Sequence, residues 1–486
     1  MHTFDEASPA APDDPSDNRP WYTLLTRYHW FVLLVAALGW LFDTMDQQLF
    51  NLARIPAMTE LLATYEVDKA TGETKKIEPT KEDKFYYGGV TTAIFLVGWA
   101  IGGLFFGILG DRIGRARVML WTILIYSFCT GLSAFSTSIW DFSFYRFLTG
   151  LGVGGEFAVG VALVAEVMPS RARPFALGML QALSAVGNIT AALISISLGF
   201  AEAPGGSLHE LATTGDSPIK AWRIMFVIGT LPALLAILIR SKLKEPEKWQ
   251  AARKEGVVAK QLGSFRELFG DPTLRYNALV GLALGFSGVV GLWGIGFFSF
   301  DLLNPVLTDH FKAAGVPADQ ITSKVAVWIG ITSILQNLGG FFGIYAYSHI
   351  THYTGRKPAF AVAFVAAMLS TALVFAYLSE FSEIFWMIPL MGFCQLALFG
   401  GYAIYFPELF PTRLRSTGTS FCYNVGRLVA AVGPFTLGFM TKAIYTQANG
   451  YEQGFRWAGV TMCAVFLIGL IALPFAPETK GKPLPE

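Results

Sequence analysis

Residues 165–173 read AEVMPSRAR, and residues 407–415 read PELFPTRLR. Glu166 aligns with Glu408, Pro169 with Pro411, Arg171 with Arg413 and Arg173 with Arg415, all at one offset close to half the chain. A second pair repeats at nearly the same offset. GDRIGR at 110–115 matches HYTGRK at 352–357, which sets Gly114 over Gly355 and Arg115 over Arg356. The economical reading is two homologous halves in one chain.

Composition says what the halves are made of. The chain has 486 residues, of which 53% are hydrophobic and 15% charged, and a mean hydropathy of +0.48. Soluble domains carry about 25% charged residues, and a helix needs about 20 apolar residues to cross a bilayer. About twelve runs meet that length, at roughly 28–53, 86–109, 116–138, 142–167, 174–200, 221–240, 276–303, 323–349, 357–379, 384–407, 416–444 and 455–476. No barrel-like strand alternation is present. The expected fold is therefore an all-α membrane protein of about twelve transmembrane helices in two pseudo-symmetric six-helix halves.

The expected divisions are a disordered acidic, Pro-rich tail at 1–24, a first half at 25–240, a central loop at 241–275, a second half at 276–478 and a short tail at 479–486. Orientation follows from Lys and Arg in short loops. GDRIGRARVM, PSRARP, HYTGRKP and PTRLRS fall in alternate loops and share one side with the basic central segment KLKEPEKWQAARKEG, which reads as a surface helix. That side is expected to be the cytoplasm, with both termini on it, in a plasma (inner) membrane. The segment at 64–84 then lies outside. A net charge of +1 gives no reason to expect a nucleic-acid partner. Cys129, Cys394, Cys422 and Cys463 all sit in apolar runs with neither metal nor disulfide spacing, so they read as small core residues.

GILGDRIGRARV, from residue 107, resembles the helix-two to helix-three loop signature of the major facilitator superfamily. RFLTGLGVGGEF resembles its fourth-helix pattern, with Arg146, Gly150, Gly152 and Gly154 in place. Within that superfamily the chain is similar to organic-acid proton symporters of the aromatic-acid and sialate/lactate groups. The likeness rests on DTMD at 43–46, on GGEFAVGVALVAEVMP at 154–169, and on RSTGTSFCYNVGRLVAAVGP at 415–434. Thr44 stands where the aromatic-acid group usually has glycine. The resemblance implies alternating access, no enzymatic activity, and a small-molecule solute moved with a proton.

The residues themselves support that expectation. Asp43 and Asp46 are three apart, so they share a helix face about 60° wide. Asp46 lies about 16 residues, or roughly 24 Å, into the first span. A charged carboxylate at such depth costs at least ~2.5–3.5 kcal/mol, and two adjacent charges repel, which favours a bound proton. The plainer alternative is a water-capped outer helix end. Arg146 enters the fourth span at matching depth and is the natural partner of Asp46, unless it snorkels outward. Glu156, among glycines, is either a second proton site or a polar tie between helices.

Arg427 lies about 11 residues, or roughly 16 Å, into the eleventh span. A midplane arginine must face a cavity or a counter-ion, and its planar fork suits a carboxylate. Tyr423 and Asn424 precede it by one turn. Gln181, Asn188, Gln336, Asn337 and Gln395 are polar side chains inside spans, able to bind solute or to join helices. Asp111, Arg112, Arg115, Glu166, Arg171, Arg173, Glu408, Arg413 and Arg415 occupy matching helix ends on the basic side. They read as a salt-bridge gate, as positive-inside anchors, or as both.

No catalytic constellation, metal-ligand spacing or phosphate-cradling Gly-Lys-Ser/Thr motif is present, so neither ATP drive nor a cofactor is expected. The proton is the expected coupling ion, and lipid is the other expected partner of a monomeric chain. The leading reading is proton-coupled symport of a small mono- or aromatic carboxylate. The alternatives are a sugar, polyol or other neutral solute, drug/proton antiport, and a non-transporting receptor.

Overall fold

The computed structural model describes residues 20–67, 74–77, 79–202, 220–254, 261–296, 299–430, 436–437, 439–445 and 451–485. Most of the expected tail, and Gly433 and Pro434 of the eleventh-span motif, lie outside the described residues. Among the described residues, ten helices are long and apolar enough to cross a membrane.

The first half starts with α1, Arg27–Leu61. Thr26 opens it as a reciprocal cap: its hydroxyl accepts from the His29 N–H at 3.3 Å, and the His29 ring accepts from the Thr26 N–H at 3.1 Å. The helix passes Pro56 and ends eight residues beyond the expected boundary, at Leu61. The segment expected as an outer loop forms an antiparallel hairpin, β1 (Thr64–Val67) with β2 (Thr74–Ile77), Thr64 facing Ile77. Then come α2 (Lys81–Ile113), α3 (Arg115–Ser133), α4 (Ile139–Val167) and α5 (Arg173–Glu202). The sixth span is broken into α6 (Ala221–Ile228), a 3-10 turn at Leu231–Leu234 and α7 (Leu235–Lys242). Pro232 sits in that turn, where it offers no N–H to a continuous α-helix.

The central loop carries α8 (Glu247–Lys254), where the surface helix was expected, and α9 (Phe265–Gly270). The second half holds α10 (Pro272–Val289), which continues into a π-turn at Val290–Ile295, and α11 (Ser299–Ala313). It continues with α12 (Ala318–Thr354), α13 (Arg356–Tyr377), α14 (Ile384–Tyr405), α15 (Arg415–Ala430), α16 (Tyr451–Met462) and α17 (Val465–Ala472). Of the single runs expected at 276–303, 416–444 and 455–476, the first turns from α-helix to π-turn at Val290, and the second lies partly outside the described residues. The last of them breaks where Cys463 and Ala464 separate α16 from α17.

Two glycines explain the conserved shape of the repeat. Gly114 joins α2 to α3 with φ +119°, and Gly355 joins α12 to α13 with φ +102°. Only glycine enters that region without strain, so both copies of the Gly-Arg turn need it. The packing repeats as well. Gly98 and Gly102 of α2 meet the backbone of Phe147 and Leu151 on α4, while Gly339 and Gly343 of α12 meet that of Pro389 and Phe393 on α14. Small residues let helices approach this closely where no hydrophobic drive exists between them. Large apolar side chains such as Phe128, Phe135, Trp140 and Ile471 point outward, as a lipid-facing surface requires.

The halves meet along two seams. On one, α2 and α15 touch through Gly103 against Asn424 and Gly107 against Ser420, and the Ser420 hydroxyl donates to the Gly103 carbonyl. On the other, α5 and α12 touch through Gly178 against Ser348, and the Asn188 amide donates to Asn337 at 2.8 Å.

Candidate functional site

At the basic end of the bundle the duplicated motifs form one buried network. Arg115 pairs with Asp111 at 2.9 Å and with Glu166 at 3.0 Å, and Arg415 reaches the same Glu166 oxygen at 2.7 Å. Asp111 also accepts from the Thr417 hydroxyl at 2.6 Å and from the Ser416 and Thr417 N–H groups. These contacts bind α2, α3 and α4 to the start of α15 across the halves, with Asp111, Arg115 and Arg415 fully buried. The second-half copy pairs Arg356 with Glu408 at 2.8 Å. Arg413 bridges to Glu267 on α9 at 2.7 Å.

Two other expected gate residues reach backbone oxygens. Arg112 donates to the Leu262 carbonyl at 3.2 Å and Arg173 to that of Ala165 at 3.0 Å. Arg171 stands near His352. The sequence reading placed Arg356 in the repeat without assigning it to the gate, and it missed Thr417 and Glu267.

Two further glutamates clamp the Gly-Arg turns. Glu245 accepts from the N–H groups of Ala116 and Arg117, and Glu478 from those of Arg356 and Lys357. Burial pushes the Glu245 carboxyl up, against the pull of its N–H donors. At Glu478 burial acts the same way, but the N–H donors of Arg356, Lys480 and Lys357 prevail and hold the carboxyl below the usual range. Trp249 of α8 ties the central loop to this end, donating to the Asp111 carbonyl at 2.6 Å.

Deeper in the bundle, Asp46 pairs with Arg146 at 3.4 Å and accepts from Thr130 at 2.7 Å. Arg146 also bonds Ser133, Thr130 and Thr149, each at 3.1 Å, and lies over the rings of Phe226 and Phe50. This arginine is interior and does not snorkel. Asp43, one turn back on α1, is buried beside Glu156 and within reach of the Arg427 charge.

Between the halves lies a cavity of about 80 Å³, several times the space one water needs. Gln181, Asn188, Gln336, Asn337, Tyr423 and Arg427 line it. Gln47, Gln48, Asn51, Ser184 and Ser333 extend its polar wall, and Trp40, Trp99, Trp293 and Phe399 supply aromatic faces. Arg427 sits between two rings, its guanidinium 3.9 Å from the Trp99 centroid and 4.3 Å from that of Tyr423. Its Nη1 contacts Asn424 at 3.4 Å, and its Nε has no hydrogen-bond partner.

Two expected binding residues are corrected by their positions. Gln395 does not line the cavity: its amide donates to Thr371 at 2.7 Å and joins α14 to α13. Asn424 packs against Gly103, bonds Ser420 at 3.0 Å and accepts from the cavity-lining Arg427 at 3.4 Å.

A family profile described as "Sugar (and other) transporter" matches residues 37–273 and 387–486. The chain is 30% identical over 402 residues to a putative metabolite transport protein of Haemophilus influenzae, covering 82% of this chain and 88% of that one. It is 29% identical over 399 residues to the cis,cis-muconate transport protein of Acinetobacter baylyi, covering 81% and 86%. Its fold superposes on the major facilitator proton:xylose symporter XylE with a TM-score of 0.66 at 19% identity, over 94% of this chain and 98% of that one. These relatives are transporters and not enzymes. Its fold is that of the major facilitator transporters, and the chain belongs to the sugar (and other) transporter family.

Proposed function

We propose that this transporter carries a small organic anion, a mono- or aromatic carboxylate, together with a proton. Alternating access comes from residues 25–240 and 276–478 rocking about the central cavity. The observation that carries the reading is Arg427. A guanidinium keeps its charge in proteins, and this one is 4% exposed, borders the cavity and has an Nε without a hydrogen-bond partner. A carboxylate would supply the missing acceptor through a charge-assisted hydrogen bond. Trp40, Trp99 and Trp293 suit a flat, unsaturated body, and one relative is named for an unsaturated acid, the dicarboxylate muconate. A buried carboxyl among the acids of α1 and α4 carries the proton. The basic end faces the cytoplasm of an inner membrane, and its ion pairs hold that side shut.

A neutral solute is the second reading. The amides of Gln181, Asn188, Gln336 and Asn337 favour it, because they would serve hydroxyl groups equally well. Uptake into reconstituted vesicles separates the two. With the interior alkaline, labelled nicotinate or benzoate accumulates and a protonophore abolishes the accumulation. Accumulation of xylose with exclusion of both acids would reverse the assignment.

A further inference from the structure

Asp43 and Glu156 are each 1% exposed, and none of their carboxyl oxygens has a hydrogen-bond partner. Buried polar groups nearly always find one, and an isolated buried carboxylate is among the costliest groups to leave ionised. The two are neighbours. The Glu156 carboxyl lies directly against Gly39 of α1, in space that a side chain at that position would need. Asp43 follows Gly39 by one helical turn on the same face. The charges acting on Asp43 are Glu156, then Asp46, then Arg427.

Asp46 is a different case. Thr130 and Arg146 occupy its two oxygens, and Arg146 directs its remaining donors to Ser133, Thr130 and Thr149. That pair is already compensated. Around Asp43 and Glu156 the other titratable or charged groups are Asp46 on α1, Tyr126 on α3 and Arg427 on α15. Arg146 of α4 is held away by Asp46. Arg427 is therefore the one cation between the carboxyl pair and the cavity among the described residues.

Resting on the organic-anion reading, we propose that Asp43 and Glu156 form a shared proton site whose occupancy the substrate controls through Arg427. In the substrate-free protein, Arg427 compensates one ionised carboxyl of the pair. A substrate carboxylate that docks on Arg427 takes that compensation for itself. The pair is then left with a negative charge and no partner, and it binds one proton from the water of the cavity. The new O–H donates to the neighbouring carboxyl oxygen. One negative charge and one proton enter together, and departure of the anion releases the proton. By linkage the effect is reciprocal, so a proton on the pair tightens anion binding.

The test is proton-linked binding to the full chain in lipid nanodiscs. Dissociation constants for nicotinate and benzoate, both monocarboxylates, are measured from pH 6 to 8.5, where both probes stay ionised. Calorimetry in buffers of different ionisation enthalpy counts the protons. Binding to the wild type should tighten by up to about ten-fold per pH unit as pH falls, with close to one proton taken up per anion. Asp46→Asn should keep that uptake. The double variant Asp43→Asn/Glu156→Gln should lose it and bind with the same affinity at every pH. Uptake that persists in the double variant, or that vanishes in Asp46→Asn alone, overturns the assignment. So does wild-type binding without proton uptake, a readout that stands even where a variant fails to fold. Affinity that follows sodium and not pH also overturns it, because the pair would then hold a metal cation. Failure of both acids to bind the wild type at any pH is a separate result, which removes the organic-anion reading itself.

Discussion

Arg427 on α15 places its guanidinium 3.9 Å from the ring of Trp99 on α2, so an arginine bordering the cavity is seated on a residue of the opposite half. Cation–π contacts of this kind contribute about 0.5–2 kcal/mol, more when shielded from water. Trp99→Leu should weaken acid affinity by about two- to thirty-fold, whereas Trp99→Phe, which keeps an aromatic face, should lose less. Titration calorimetry with benzoate ranks the three proteins. Equal affinity in Trp99→Leu would show that the ring does not hold the guanidinium for the anion.

The gate makes its own prediction. Asp111 anchors the start of α15 through three hydrogen bonds and pairs with Arg115. Hydrogen bonds to charged groups contribute about 1.5–3 kcal/mol, enough to shift a two-state equilibrium by about ten- to hundred-fold. Asp111→Asn should therefore favour the state open at the basic end, slow transport and leave binding in detergent nearly intact. A cysteine placed at Asn51 in the cavity should react more slowly with reagent supplied from the opposite end. Unchanged reactivity would count against the gate.

The Asp46–Arg146 pair should behave as a buried ion pair whose halves cannot be separated cheaply. Asp46→Asn leaves Arg146 as an uncompensated charge, a change that costs about 3–5 kcal/mol. The double replacement Asp46→Leu/Arg146→Met removes both charges and should be less destabilised than the single one. Thermal unfolding in detergent decides the order. A double variant less stable than Asp46→Asn would mean that the polar contacts of Arg146 matter more than its charge.

Glu478 gives a pH signature outside the spans. Its carboxyl is held below the usual range in the folded protein. Its contribution is therefore complete above the ordinary glutamate value of about 4.3 and fades as pH falls through the depressed folded value. Glu478→Gln should lower stability at neutral pH, and its deficit relative to the wild type should shrink on acidification. A deficit constant from pH 7 to 3 would contradict the role of the ionised carboxylate in clamping the Gly355–Arg356 turn.

Much of this was readable from the chain because membrane folding leaves strong marks. A repeat carrying Gly114 and Gly355 pointed to two like turns, and both glycines do adopt positive φ. Arg427 was legible because an arginine inside an apolar run has few explanations. Breaks within spans were not, since Pro232 and the π-turn at Val290–Ile295 leave hydropathy unchanged. Gln395 and Gln336 look alike in sequence, yet one faces Thr371 and the other the cavity. Helix rotation decides between them, and weakly amphipathic spans do not encode it. Trp99 reads like any lipid-facing tryptophan until α15 is packed against α2.

The central claim is that Arg427 receives a carboxylate. Its fork offers a bidentate geometry that lysine cannot reproduce, and losing a charged hydrogen-bonded contact costs about 1.5–3 kcal/mol, roughly ten- to hundred-fold in affinity. The direct measurement is the dissociation constant of benzoate and of benzamide for the wild type, Arg427→Lys and Arg427→Gln. Benzoate should bind the wild type well, Arg427→Lys more weakly and Arg427→Gln most weakly, with benzamide poor throughout. Equal binding of acid and amide to the wild type, or full benzoate affinity in Arg427→Gln, would contradict the account and favour a neutral solute.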